Sequence, residues 1–222
     1  MQTQTPPEVT DGQYGKLEDV ARDLVRKYRI NGTEFQYLLG HSSFASRFGE
    51  ILNDLANEHR LTQPLIERPS FATIEVGTYK TTDDIRQALA AGNFRIGDWA
   101  SDLMNRPEFT LLTEPAKLDL YMASNAELGY PNGCTVAQSF EALEKIGAVK
   151  LPPEAGAQYR LKYADQPLNE WRLMYMDPIT GSDGGLGVFS VERDGGGLWL
   201  DGRYAGPGRF YGGDYVWVFA RK

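Results

Sequence analysis

Residues 159–222 read YRLKYADQPLNEWRLMYMDPITGSDGGLGVFSVERDGGGLWLDGRYAGPGRFYGGDYVWVFARK. This stretch holds three of the four Trp, 12 of the 26 aromatic residues and half of the 24 Gly. Short runs of aromatic and branched residues between Gly, Asp and Pro clusters are the pattern of strands joined by turns. About five strands are predicted, near 159–163, 170–176, 186–193, 197–204 and 215–221, and connections this short favour an antiparallel meander. Tyr159, Leu161 and Tyr163 alternate with Arg160 and Lys162, while Tyr215, Trp217 and Phe219 alternate with smaller apolar residues. Side chains alternate between faces at every step, so one face of this sheet should carry the core.

Working outward, the preceding 158 residues read mainly as helices. Residues 1–15 are polar and Pro-bearing, a loose tail. Over 16–29, Leu17, Val20, Ala21, Leu24, Val25 and Tyr28 recur at helical spacing, with acids early and bases late as the helix dipole prefers. Asn31-Gly32 stops that helix, Thr33 can cap a second through Leu39, and a third from about Phe44 to Arg60 lines up Phe44, Phe48, Ile51, Leu52 and Leu55. A Pro-containing stretch, 62–70, leads into a predicted strand at 72–76, a helix at 83–91 capped by Thr82, a short helix at 98–105 and a strand at 117–123. Thr135 and Gln138 then spell a capping box ahead of the apolar face Val136, Phe140, Leu143 and Ile146, with Gly147 closing the helix. The expected fold class is therefore α+β: an amino-terminal helical bundle over 16–70, followed by a mixed domain over 71–222 whose helices cover a carboxy-terminal antiparallel sheet at about 159–222.

Composition narrows the function classes. With 222 residues, 41% hydrophobic and 24% charged, the chain can bury a sizeable core. The stretch MQTQTPPEVTDGQYG lacks the basic start and apolar core of a secretory signal, and no apolar run reaches membrane-spanning length, so a cytoplasmic protein without a membrane partner is expected. One cysteine, Cys134, leaves no internal disulfide and suits a reducing compartment. The net charge of -7 opposes a general grip on DNA or RNA, which needs surplus Lys and Arg. Residues 159–222 contain eight basic and eight acidic side chains, so the excess acid lies wholly in 1–158.

The strings GDWASDLM, ELGYPNG, PPEAGAQYRLKYADQP, DGGGLWL and the terminal WVFARK, in that order, resemble a group of bacterial proteins of no known activity, represented mainly in candidate-phylum genomes. The resemblance covers roughly residues 74–222 and implies no cofactor or catalytic residue. The group has no cysteine where Cys134 stands, which weighs against a central role for that thiol.

Four constellations could carry chemistry. Cys134 precedes a helix whose amides could favour a thiolate, but a nucleophilic Cys needs a base, and the histidines, His41 and His59, lie far away in the sequence. Glu154, Asp165 and Glu170 could supply an acid and base pair for hydrolysis, with Arg160 and Arg172 holding a charged substrate; Asp165-Gln166-Pro167 also reads as a turn and Glu170 with Arg172 as a solvated strand face. Asp177, Thr180, Ser182 and Asp183 before Gly184-Gly185 are oxygen-rich, yet lack the ligand alternation and closing Glu of a calcium loop, so no metal is expected. Asp194-Gly195-Gly196-Gly197 likewise lacks the following helix of a phosphate cradle, so no cofactor is expected. Residues 33–51 outline a helix-turn-helix, but Gln36 and Ser46 fall where buried residues belong, which makes DNA reading through Arg47 improbable.

What remains is a surface. Trp171, Trp199, Tyr204, Phe210, Tyr211 and Trp217 cannot all share one buried face, so some should emerge near the loop 206–213. The leading expectation is a non-catalytic binding protein for a protein or carbohydrate partner, contacted by Trp199, Arg203, Tyr204, Arg209, Phe210 and Tyr211. A hydrolase using Glu154, Asp165 or Glu170 is the alternative, and DNA binding through the amino-terminal helices comes third.

Overall fold

The computed structural model describes residues 11–28, 30–41, 43–44, 47–48, 51 and 65–221, which fall into two units, Met1–Gln63 and Pro64–Lys222. In the first unit, α1 (Asp11–Lys27) carries the ion pairs Arg22–Asp19 at 3.1 Å and Arg26–Asp23 at 3.8 Å along its solvated face. It begins inside the stretch read as a loose tail. The cap of α2 (Gly32–Gly40) is Asn31 rather than Thr33: Asn31 Oδ1 accepts from the Thr33 and Glu34 amides at 3.0 Å, and Glu34 Oε2 accepts from the Asn31 amide at 2.9 Å. Three otherwise orphan amides at the start of the helix are satisfied in this way. The predicted helix from Phe44 to Arg60 lies mostly outside the described residues.

The second unit opens with a 3-10 turn (Leu65–Glu67) and continues β1 (Ala72–Val76), α3 (Thr82–Ala91), β2 (Arg95–Ile96), α4 (Asp98–Met104), β3 (Ala116–Ser124), β4 (Cys134–Thr135) and α5 (Val136–Lys145). It goes on through β5 (Ala148–Val149), α6 (Ala155–Lys162), β6 (Glu170–Met174), β7 (Ile179–Thr180), β8 (Leu186–Asp194), β9 (Gly197–Tyr204), β10 (Phe210–Tyr211) and β11 (Val216–Arg221). Among the described residues, nine strands form one sheet in the order β1-β3-β11-β6-β8-β9-β2, with β5 beside β11 and β7 beside β8. The pairs β11/β6 and β2/β9 are parallel and the others antiparallel.

The expected carboxy-terminal antiparallel sheet is therefore corrected to a large mixed sheet. The last strand does not close a meander; it crosses back to lie between β3 and β6. Its composition explains why. Trp217, Val218, Phe219 and Ala220 are all buried, so β11 is apolar on both faces and must occupy a central position rather than an edge.

A second correction concerns residues 159–163, read as a strand and found as the last turn of α6 with Tyr163 as its C-cap. The period of two in Tyr159-Arg160-Leu161-Lys162-Tyr163 misleads because α6 is buried from Ala155 to Arg160 and shows no solvated face to set a helical period. Small residues let its axis approach the sheet: a Cβ at Gly156 would lie 2.9 Å from Phe189 Cβ and 3.3 Å from Met174 Cγ. Tyr159 and Tyr163, one turn apart, stack at 5.2 Å.

Other expectations hold. The capping box before α5 has the Gln138 amide donating to Thr135 Oγ1 at 3.3 Å and the Thr135 amide donating to Gln138 Oε1 at 2.9 Å, and Gly147 beyond it takes a φ of 77°. The cap of α3, by contrast, is Thr81 with Asp84 and not the expected Thr82. Register places Phe189 opposite Gly202 and Gly187 opposite Tyr204, so the contacts of Gly156, Gly187 and Gly202 put α4 and α6 on one face of the sheet. Leu173, opposite Trp217, points to the other face, where Phe140 of α5 stands edge-on to Tyr175 at 4.8 Å and Trp217 at 5.2 Å. One apolar core running from Ile74 to Ala220 joins these layers. No helix among the described residues is long and apolar enough to cross a membrane.

Candidate ligand cleft

β2 pairs with β9 only at Arg95 opposite Trp199 and Ile96 opposite Leu200, after which Gly97 turns the chain into α4. Among the described residues no strand continues along that edge of β9, and α4 stands beside it instead. The approach is close because glycines face the helix. A Cβ at Gly202 would lie 2.9 Å from Trp99 Cβ, and one at Gly187 would lie 3.1 Å from Leu103 Cδ1. The result is a cleft of about 200 Å³ reaching from Trp99 and Leu103 past Asp201, Arg203 and Tyr204 to Arg209, Tyr211 and Tyr215.

Its walls are held from several directions. The turn 181–185 supplies Asp183, whose Oδ1 accepts from the Gly185 amide at 2.9 Å and whose Oδ2 accepts from Tyr204 Oη at 2.8 Å. Those two bonds hold the Asp183 carboxyl below its ordinary range. The same turn is pinned to α4 by the Ser182 amide, which donates to Asp102 Oδ2 at 2.7 Å. Tyr211 closes the far side, donating its hydroxyl to the Tyr204 carbonyl at 2.7 Å, with the Arg209 guanidinium over its ring at 5.3 Å and Tyr215 at 4.6 Å between centroids. Burial pushes the Tyr211 phenol up.

Charge in the cleft is largely neutralised internally. Arg203 donates from Nε and Nη2 to the two oxygens of buried Glu192, each at 2.6 Å, and Ser190 Oγ also donates to Glu192. This planar, bidentate bonding raises the Arg203 pKa. Asp201 beside it is pushed up, first by burial; the Gly202 amide, donating to Oδ1 at 2.7 Å, opposes that shift, and nearby Glu192 adds to it. Perturbed carboxyls in a concave, aromatic-lined place mark candidate functional sites.

The structure thus brings four of the expected contact residues, Arg203, Tyr204, Arg209 and Tyr211, into one cleft. Trp199 and Phe210 are not among its lining residues. Trp199 Nε1 donates to Asp194 Oδ1 at 2.9 Å and its ring lies under the Arg95 guanidinium at 5.1 Å, so it braces the Gly-rich turn. Phe210 is 57% exposed on the short β10/β4 ribbon. Sequence reasoning missed Trp99 and Asp201 and considered Asp183 only as a rejected calcium ligand. Trp99, the one Trp outside the tail, was the available signal.

The three expected acids lie apart from this cleft. Glu154 is fully buried before α6, accepting from the Leu112 amide at 2.7 Å and the Gly77 amide at 3.0 Å, so it ties loops to the sheet. Glu170 stands at the other end of α6, accepting from Tyr163 Oη at 2.8 Å and Arg172 Nη2 at 2.7 Å. Asp165 is exposed in the turn between. Arg172 is buried and also donates to Tyr159 Oη at 2.5 Å. Cys134 is buried, its Sγ 3.1 Å from Ser139 Oγ, which donates to Asn125 Oδ1 at 2.8 Å. Of the two histidines, His41 belongs to the first unit and His59 lies outside the described residues. Among the described residues no cluster of three or more His, Cys, Asp or Glu could hold a metal ion.

Fold and cleft together define an α+β protein with an open, aromatic and charge-compensated cleft at a sheet edge. Comparison with protein-family models, with curated proteins and with solved structures found no match.

Proposed function

We propose that the protein is a non-catalytic binding protein whose partner seats a group in the cleft between α4 and β9. The observation that carries this reading is the convergence of Arg203, Tyr204, Arg209 and Tyr211 with Trp99, Asp183 and Asp201 around one concavity. Aromatic rings provide contact area at little entropic cost, and the fixed polar groups orient what they touch. Recognition fits these groups better than catalysis does. Both Asp183 oxygens already accept hydrogen bonds and Arg203 is engaged by Glu192, so neither is poised to move a proton.

The exposed ring of Phe210, next in sequence to Arg209, extends this surface beyond the cleft. The net charge of -7 makes a nucleic-acid partner the poorest choice. The reading places the chain in the cytoplasm, where Cys134 would stay a thiol. Affinity capture from the native cell tests it. The Tyr204→Ala and Arg209→Ala variants, still folded by circular dichroism, should lose a partner that the parent protein retains, and unchanged recovery would remove the reading.

A further inference from the structure

The cleft's size and chemistry restrict what can enter it, an inference that rests on the binding reading above. At about 200 Å³ it falls below the roughly 300–1,000 Å³ of sites that enclose drug-sized ligands, so it takes one ring-sized group rather than a peptide segment.

Charge complementarity then disfavours ions of either sign. A phosphate or carboxylate would approach Arg203, but Glu192 already holds that guanidinium in a bidentate pair, and Asp183 and Asp201 stand in the same walls. A cation would be drawn to those carboxylates and to the rings, yet Arg203 and Arg209 line the same cleft. A neutral group whose neighbouring substituents both donate and accept meets no such opposition. Carboxylates accept, guanidinium groups donate and tyrosine hydroxyls do both.

The rings set the remaining requirement. Trp99 and Tyr204 lie 5.1 Å apart between centroids, tilted by 59°, and remain 43% and 45% exposed, so each offers an apolar ring face in the lining of the cleft. An incoming group therefore needs one face of C–H bonds to lie on a ring and an edge of hydroxyls to reach the charged groups. We infer that the cleft binds a neutral pyranose, either a free sugar or the terminal unit of an oligosaccharide, with Trp99 as the platform and Asp201 and Arg209 as the hydroxyl-binding groups.

The full chain tests this by saturation-transfer NMR and tryptophan fluorescence with glucose, mannose, N-acetylglucosamine, maltose and cellobiose as probes. Tetramethylammonium and inorganic phosphate serve as the cationic and anionic comparisons. At least one sugar should bind, Trp99→Ala and Asp201→Asn should each weaken it roughly tenfold or more, and Trp99→Phe, which keeps a flat ring and the packing on Gly202, should retain most of the affinity. The inference is overturned if none of these sugars binds, if a sugar binds the Trp99→Ala and Asp201→Asn variants as tightly as the parent, or if only tetramethylammonium or phosphate binds. Should the sugars fail while capture of the native partner still depends on Tyr204 and Arg209, the pyranose inference falls and the binding reading stands. Should that dependence also be lost, both fall.

Discussion

Gln166 accepts from Arg160 Nη1 at 2.5 Å and donates to the Glu170 and Val191 carbonyls at 3.0 Å, fully buried throughout. Arg160 is itself buried, stacked on Phe94 at 5.1 Å, with Nε and Nη2 lacking a protein partner. Burial draws its pKa down to about 10. Gln166→Leu would leave that guanidinium only the Glu192 carbonyl, to which Nη1 also donates at 3.2 Å, and would take a donor from two carbonyls at once, so it should cost about 3 kcal/mol, read as a lower urea midpoint at unchanged slope. In the sequence Gln166 sits in Asp165-Gln166-Pro167, which spells a turn; nothing local shows that its side chain plugs the space beneath. Asp201 gives a prediction of pH dependence. Its folded pKa is raised above the ordinary 3.8, so the protonated form's advantage is complete below that value and disappears as pH rises through the raised one. Burial makes the ionised form the costly one in the native protein. Asp201→Asn should therefore melt higher than the parent at pH 7 and no higher near pH 3, and an equal or lower melting point at pH 7 would contradict the burial argument.

At the scale of elements, α6 depends on close approach rather than on helix propensity. Replacing Gly156 by Ala would gain up to about 1 kcal/mol of propensity, whereas the new Cβ would meet Phe189 Cβ at 2.9 Å. That neighbour is fixed to the backbone of β8, and overpacking of this kind costs about 1–3 kcal/mol. Gly156→Ala should thus be destabilising on balance by about 1 kcal/mol, a sign that thermal or urea unfolding can check. The same packing hid the helix from sequence reading, because a segment buried all round has no polar stripe to reveal its period. By contrast α5 was legible: its capping box and glycine stop are local chemistry. Thr135→Ala should cost it about 1 kcal/mol. The strand β11 stood in between. Its existence was plain from alternating large rings, but its central place followed from the apolar residues between them, Val216, Val218 and Ala220, which give β11 two faces to bury.

For the whole molecule, the core cluster among the described residues draws on the second unit, from Ile74 to Ala220. Residues 64–222 produced alone should therefore unfold in one cooperative transition with native circular dichroism, and a broad, multistep melt would show that the sheet needs the first 63 residues. Of the four cleft residues foreseen in the tail, Arg203, Tyr204, Arg209 and Tyr211, each belongs to β9, β10 or the loop joining them, where turn chemistry and aromatic content were visible. Trp99 and Asp183 come from segments 104 and 20 residues before Arg203, and only folding brings them to that edge. The sequence by itself determined the long strands, the capping box of α5 and the turn residues, because these depend on neighbours within a few positions. Tertiary structure alone decided that β3 and β6 are the strands flanking β11, that α6 is a helix and that a cleft opens beside β9. Those outcomes depend on which surfaces are buried against each other, and that choice is made among segments far apart in the chain.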